Sequence, residues 1–196
     1  MVVIVDYDTG NLCSVRNALS RLGADYCVTD NLEAIRGASH VLMPGVGEAS
    51  SAMAKLRERH LDTLLPSLAQ PVLGICIGMQ LMCLGSEEGE ASCLSIFHTQ
   101  VRRLLPNGET GVKVPHMGWN DVEALSTPLF MGVEEGSFFY FVHSFAADIC
   151  DETIALSSHG RPFSAALHHG NFYGVQFHPE KSGALGEKIL SNFLQL

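Results

Sequence analysis

The 196-residue sequence carries 12 Lys and Arg against 21 Asp and Glu, a formal charge of −9 with its nine His counted neutral. Apolar residues make up 46% and charged residues 17%, which suffices for a buried core and excludes intrinsic disorder; the length suits one domain, residues 1–196. So acidic a chain lacks the basic surface through which proteins hold nucleic acid or anionic membranes.

Val2–Val5 is a short, wholly apolar β-branched run, the pattern of a strand covered on both faces. Leu12, Val15, Leu19 and Leu22 recur at helical spacing, with Asn11 as a candidate N-cap and Gly23 where the helix should stop. Tyr26–Thr29 is read as a second strand and Leu32–Arg36 as a short helix behind Asp30 or Asn31. Val41–Met43 is a third strand, ending at Pro44-Gly45-Val46-Gly47; helical pattern follows through Ala52, Met53 and Leu56 and is disturbed at Pro66. Val72–Ile75 is a fourth strand, with a helix predicted over Met79–Leu84. This alternation predicts a parallel sheet with right-handed crossovers.

After about Glu90 the rhythm changes to strands separated by turns: Val101–Leu105, Asp121–Ala124, Phe138–Phe145 and Thr153–Ser157. Ala165–His168 and Phe172–Phe177 flank His169-Gly170-Asn171 as a hairpin, and a last helix runs from Leu185 to Leu194. The expected architecture is one α/β domain: a mostly parallel central sheet flanked by helices, with an additional antiparallel sheet. No apolar run approaches the roughly 18 residues of a spanning helix, and the start, with Asp6 and no basic stretch, does not read as a secretory signal. The expected compartment is the cytoplasm, where the six cysteines would be free thiols; no pair has the C-x-x-C spacing of a zinc or redox site.

Gly74-Ile75-Cys76-Ile77-Gly78 follows a buried strand and opens a helix, the context of a nucleophile elbow. The two glycines would clear a turn too sharp for side chains. Cys76 would then lie at a helix start that favours thiolate, with the Ile77 N–H aimed at a developing oxyanion. On its own the pentapeptide is equally consistent with a buried structural cysteine. Gln176-Phe177-His178-Pro179-Glu180 supplies the missing parts: in an extended segment His178 and Glu180 share a face, as a base and its orienting acceptor require. The Pro44–Gly47 turn falls on the same C-terminal sheet edge, where ligands gather in open α/β folds, and its backbone could complete an oxyanion hole or be an ordinary tight turn.

Gly74-Ile75-Cys76-Ile77-Gly78-Met79-Gln80 together with His178-Pro179-Glu180 resembles the class I glutamine amidotransferases. Pro44–Gly47, Pro115-His116-Met117-Gly118-Trp119-Asn120, Tyr140-Phe141-Val142-His143-Ser144 and His178–Ser182 resemble the branch that feeds a cyclase in histidine biosynthesis, and the likeness runs from about Asp6 to Phe193. The resemblance implies a Cys76–His178–Glu180 triad that hydrolyses glutamine through a cysteinyl thioester. It implies an oxyanion hole of Ile77, Val46 and Gly47 backbone, and glutamine contacts at Gln80, Glu88, Ser144 and Phe145. It implies no cofactor or metal, and a heterodimer with a (β/α)8-barrel cyclase that takes the ammonia, with Asn11, Trp119, Tyr140 and Lys181 at that interface or passage. Two positions depart from the family: Asp8 where glycine is usual, and Phe145 where tyrosine is common. His116 and His143 receive no chemical role, and the remaining histidines, among them His98 and His169, are read as solvated or structural. The alternatives are a glutaminase serving another synthase and a non-catalytic scaffold of the same fold.

Overall fold

The computed structural model describes residues 1–8, 12–109 and 111–196, so Asn11 and its proposed cap lie outside the described residues. The first half follows the predicted alternation: β1 (Val2–Val5), α1 (Leu12–Arg21), β2 (Tyr26–Thr29), α2 (Leu32–Arg36), β3 (His40–Gly45), α3 (Ala49–Glu58), α4 (Leu61–Leu64), β4 (Val72–Cys76) and α5 (Ile77–Leu81). Asn31 caps α2, its side-chain oxygen accepting from the Ala34 N–H at 2.9 Å. The second half comprises β5 (Gly85–Ser86), β6 (Ala91–Ser92), β7 (Gln100–Arg103), β8 (His116–Val122), β9 (Ser137–His143), β10 (Phe145–Ala147), β11 (Thr153–Ser158), β12 (Pro162–His169), β13 (Phe172–Val175) and α6 (Gly183–Phe193).

A seven-stranded sheet runs in the order β11-β12-β13-β4-β3-β1-β2, parallel from β13 to β2 and antiparallel over β11-β12-β13. β1, β4 and β13 are buried throughout, as helix-covered strands must be. Part of the antiparallel half therefore extends the central sheet instead of forming a separate one. The remainder makes a four-stranded sheet, β10-β7-β5-β6, and a two-stranded ribbon, β8-β9.

Several elements depart from the sequence reading: β8 runs over His116–Val122 where the sequence predicts a strand at Asp121–Ala124, and three others depart for identifiable reasons. β3 does not stop at Met43 but continues through Pro44 and Gly45, opposite Ile75 and Cys76 of β4. β1 pairs with β3 only as far as Leu42, so Pro44 removes no ladder donor on that side. The helix expected over Met79–Leu84 is found at Ile77–Leu81. It begins directly at the elbow and ends early because the carbonyls of Leu81, Met82 and Cys83 accept N–H groups from Leu94, Ile96, Phe97 and Ser95. The run Phe138–Phe145 splits between β9 and β10, which join different sheets; at the break, the Ser144 carbonyl accepts the Leu104 N–H at 2.8 Å.

Candidate active site

The β4–α5 junction is an elbow in the strict geometric sense. Cys76, the last residue of β4, sits at φ 55° and ψ −110°, a conformation that costs a non-glycine residue on the order of 1–3 kcal/mol. The flanking glycines make it possible. A Cβ on Gly78 would lie 1.7 Å from the Met43 carbonyl oxygen, and one on Gly74 would lie 2.6 Å from the Met79 nitrogen. The helix that follows is only five residues long, too short to bring a long helix's dipole to bear on the sulfur. All six cysteines are free; burial pushes the Cys83 thiol far up and the Cys93 thiol to about 11.

His178 follows β13, its N–H donating to the Tyr140 carbonyl at 2.9 Å. Its Nδ1 meets Glu180 Oε1 at 2.7 Å, with the two side chains only 3% and 5% exposed. They do not meet as i and i+2 of an extended strand, because Pro179–Lys181 forms a short 3-10 turn that folds Glu180 back onto the imidazole. Burial opposes charge on His178, but hydrogen bonding and charge attraction from Cys76 and Glu180 outweigh it and raise the imidazole to about 10. His178 Nε2 and Glu180 Oε2 are buried without a fully formed hydrogen bond. The Cys76 sulfur makes only long contacts, to the Val142 carbonyl at 3.9 Å and the Gln176 amide at 3.6 Å.

Cys76 and His178 line one cavity of about 400 Å³. Its walls also contain Ile77, Val46, Gly47, Gln80, Glu88, Ser144 and Phe145, so nine expected site residues converge there, with Lys181 at the same cavity. Glu180 lies behind, beside an adjoining small cleft. Gln80 donates to the Phe145 carbonyl at 2.8 Å and to Gln176 at 2.9 Å, leaving its own buried Oε1 without a partner. Glu88 is held at the start of α3 by the Ala49 N–H at 2.9 Å; burial raises its carboxyl, against that hydrogen bond, and Glu48 adds to the rise. Gly47 adopts φ +108°, open only to glycine without strain.

Sequence reasoning missed Gln176 and the cavity-lining His143. A glutamine wholly buried between Val175 and Phe177 was the available signal, since buried amides need partners. The Asp8 departure is explained: it sits at φ 58°, which aspartate tolerates better than most residues, and Arg59 pairs with its carboxylate. Phe145 remains on the cavity wall without a hydroxyl.

Trp119 and Tyr140 face each other across β8-β9, rings in an edge contact at 6.2 Å, and the Lys181 ammonium stands 5.8 Å from the Tyr140 ring. Met117, Trp119 and Phe138 of this ribbon are more than half exposed. Elsewhere His98, Glu152 and His169 cluster, yet their groups satisfy one another. Both imidazoles reach Glu152 Oε1 at 2.7 Å, and the His98 N–H reaches Oε2 at 2.7 Å. None of the three lines the cavity. Among the described residues, no helix is long and apolar enough to cross a membrane.

Comparison with known proteins identifies the family. The family described as glutamine amidotransferase class-I matches residues 3–196. The imidazole glycerol phosphate synthase subunit HisH of Bacteroides thetaiotaomicron is 51% identical over 195 residues, covering 100% of this chain and 99% of the relative. The HisH subunit of Shewanella sediminis is 47% identical, covering 99% and 90%. Among solved structures, a glutamine amidotransferase from Thermotoga maritima superposes with a TM-score of 0.64 at 17% identity, covering 99% of this chain and 80% of that one. That similarity speaks for the fold alone. On the full-length match and the level of identity, the chain belongs to the class-I glutamine amidotransferases and, among them, to the HisH subunits of imidazole glycerol phosphate synthase.

Proposed function

We propose that residues 1–196 act as a single cytoplasmic glutaminase domain that hydrolyses L-glutamine and passes the ammonia to a (β/α)8-barrel cyclase, with which it forms a heterodimer in histidine biosynthesis. The observation that carries the reading is a thiol on a strained elbow sharing one cavity with a buried imidazole that Glu180 holds from behind. The Cys76 thiolate attacks the side-chain amide carbon of glutamine. The resulting oxyanion is met by the Ile77 N–H and by backbone of Val46–Gly47, where glycine leaves the peptide free to turn. Removing one such donor costs about 3–4 kcal/mol of transition-state stabilisation.

His178, raised to about 10, is protonated at neutral pH and gives its proton to the leaving nitrogen as the C–N bond breaks. Ammonia departs and a γ-glutamyl thioester remains. Water then attacks, its proton passing to His178, and glutamate leaves as the sulfur is released. Glu180 orients Nδ1 and stabilises the cation throughout. Glu88, whose Oε2 takes the Ala49 N–H, offers Oε1 to the substrate ammonium; the Gln80 carbonyl oxygen and the Ser144–Phe145 backbone supply the other contacts.

Ammonia freed into water would be protonated and lost as a nucleophile, so a shielded exit is required. The exposed apolar face of β8-β9, with Lys181 beside it, supports docking there, because aromatic anchors concentrate binding energy. The test is glutamate release from the purified chain with glutamine, with and without the cyclase and its ribonucleotide substrate. Weak activity alone and strong stimulation in the complex are expected; no glutamate from a folded complex overturns the reading. A thiol-reactive glutamine analogue should leave one adduct, on Cys76, whereas even labelling of the six cysteines would indicate a scaffold.

A further inference from the structure

His116 and His143 lie directly opposite each other on β8 and β9, both buried, and neither has a part in the hydrolysis just described. Their hydrogen bonds have only one consistent direction. His143 Nδ1 is 2.8 Å from the Phe145 carbonyl oxygen, which can only accept, so Nδ1 carries the hydrogen. A neutral imidazole has one N–H, which makes His143 Nε2 an acceptor. His116 Nδ1, 2.9 Å away, must therefore donate to it. His116 Nε2 is then an acceptor in turn, facing the Asn120 amide nitrogen at 3.3 Å.

Both ends of the chain are anchored. Asn120 also donates to the Ser158 carbonyl at 2.9 Å, its other N–H is shared between His116 Nε2 and the Ser157 hydroxyl oxygen at 3.2 Å, and its own oxygen accepts the Asp121 N–H at 3.0 Å. The His116 ring is stacked between His159, at 4.1 Å and 15°, and Phe141, at 4.9 Å and 21°. At the far end, the Phe145 carbonyl takes a second hydrogen bond from Gln80, and the neighbouring Ser144 carbonyl is bound by Leu104. Both carbonyls of the cavity wall at 144–145 are thus tied, one of them through the histidine chain.

We propose that His116 and His143 are positioning residues for glutamine: a tautomer-locked relay from Asn120 fixes the Phe145 carbonyl, and with it the Ser144–Phe145 backbone against which the substrate binds. The inference rests on the glutaminase reading above and adds a mechanical route to it. Asn120 is the neighbour of Trp119 on β8, so whatever seats on the exposed ribbon face bears on the same strand that starts the relay.

Two substitutions at one position separate positioning from packing. In His143→Asn the amide nitrogen falls near the former Nδ1 and can still donate to the Phe145 carbonyl; in His143→Gln it falls near the former Nε2 and cannot. Kinetics are measured in the complex with the liganded cyclase. His143→Gln should raise KM for glutamine by about tenfold, the worth of one hydrogen bond, with kcat little changed, and His143→Asn should restore most of the loss. His116→Phe, which keeps the ring stacking and removes the donor, should raise KM by less than His143→Gln, because His143 Nδ1 still reaches the Phe145 carbonyl but is no longer held in that tautomer. Equal KM values for the two His143 variants, or an unchanged KM in His116→Phe, would overturn the relay. Imidazole 15N shifts of the unsubstituted protein give an independent answer: His143 should be the Nδ1–H tautomer, and the Nε2–H tautomer refutes the proposal. If the complex releases no glutamate at all, the glutaminase reading fails, and the tautomer still decides the relay.

Discussion

Cys76 holds a backbone conformation that few side chains tolerate, and it does so where its sulfur shares a cavity with a charged imidazole. Replacing Cys76 with Ser keeps the volume and removes the proposed nucleophile. Glutamine-dependent synthesis by the proposed complex should disappear, while synthesis from added ammonium should persist, because on that reading the cyclase performs the chemistry itself; an assay with both nitrogen sources checks this. Loss of both would mean that Cys76 supports the structure in some other way. Glu180 stands 2.7 Å from Nδ1 of His178, and in the proposed mechanism it acts through that imidazole. Glu180→Gln should therefore lower kcat by on the order of a hundredfold with a smaller effect on KM. Steady-state kinetics giving a raised KM and an unchanged kcat would contradict that assignment.

The elbow is as much a property of two packed elements as of one residue. Gly78 lies so close to β3 that a Cβ would press into the Met43 carbonyl. Gly78→Ala should destabilise the chain by about 3 kcal/mol, read as a lowered urea midpoint, and should disturb the Cys76 conformation in proportion. The β8-β9 ribbon poses a different problem, since it leaves Met117, Trp119 and Phe138 largely in water. Trp119→Ala should leave stability within about 0.5 kcal/mol, as for exposed substitutions generally, but weaken cyclase binding by about 2 kcal/mol or more. Calorimetric titration with the cyclase measures the second effect, and unchanged affinity would remove the ribbon from the interface.

Across the molecule, buried histidines give the fold a pH signature of two opposing signs. Burial, aided by the neighbouring imidazoles, lowers His143 to about 3 and His116 to about 4, from 6.5. Between those values and 6.5 the unfolded chain binds protons that the folded one refuses. That stability is complete above pH 6.5 and is lost as pH falls through 4 towards 3. His178, raised to about 10, contributes oppositely: its stability is complete below 6.5 and is lost as pH rises through 10. Urea denaturation across this range should give maximum stability near neutrality with losses on both sides, and a chain that grew steadily more stable on acidification would contradict the neutral His116–His143 pair.

The sequence by itself determined the alternating α/β order, the elbow glycines and the family, and it picked out the residues proposed as a triad, because each rests on short-range signals: apolar runs, turn residues and motif spacing. The match of β1, β2 and α2 to their predicted bounds belongs to this class. Tertiary structure alone decided what depends on neighbours distant in the chain. The continuation of β3 through Pro44 follows from an edge that β1 leaves free, and the division of Phe138–Phe145 follows from two different partner strands. The 3-10 turn, not strand alternation, brings Glu180 to His178. The Asn120–His116–His143 chain ending on Phe145 joins residues whose polarity is plain in the sequence, but whose hydrogen-bond directions exist only once two strands pair and exclude water.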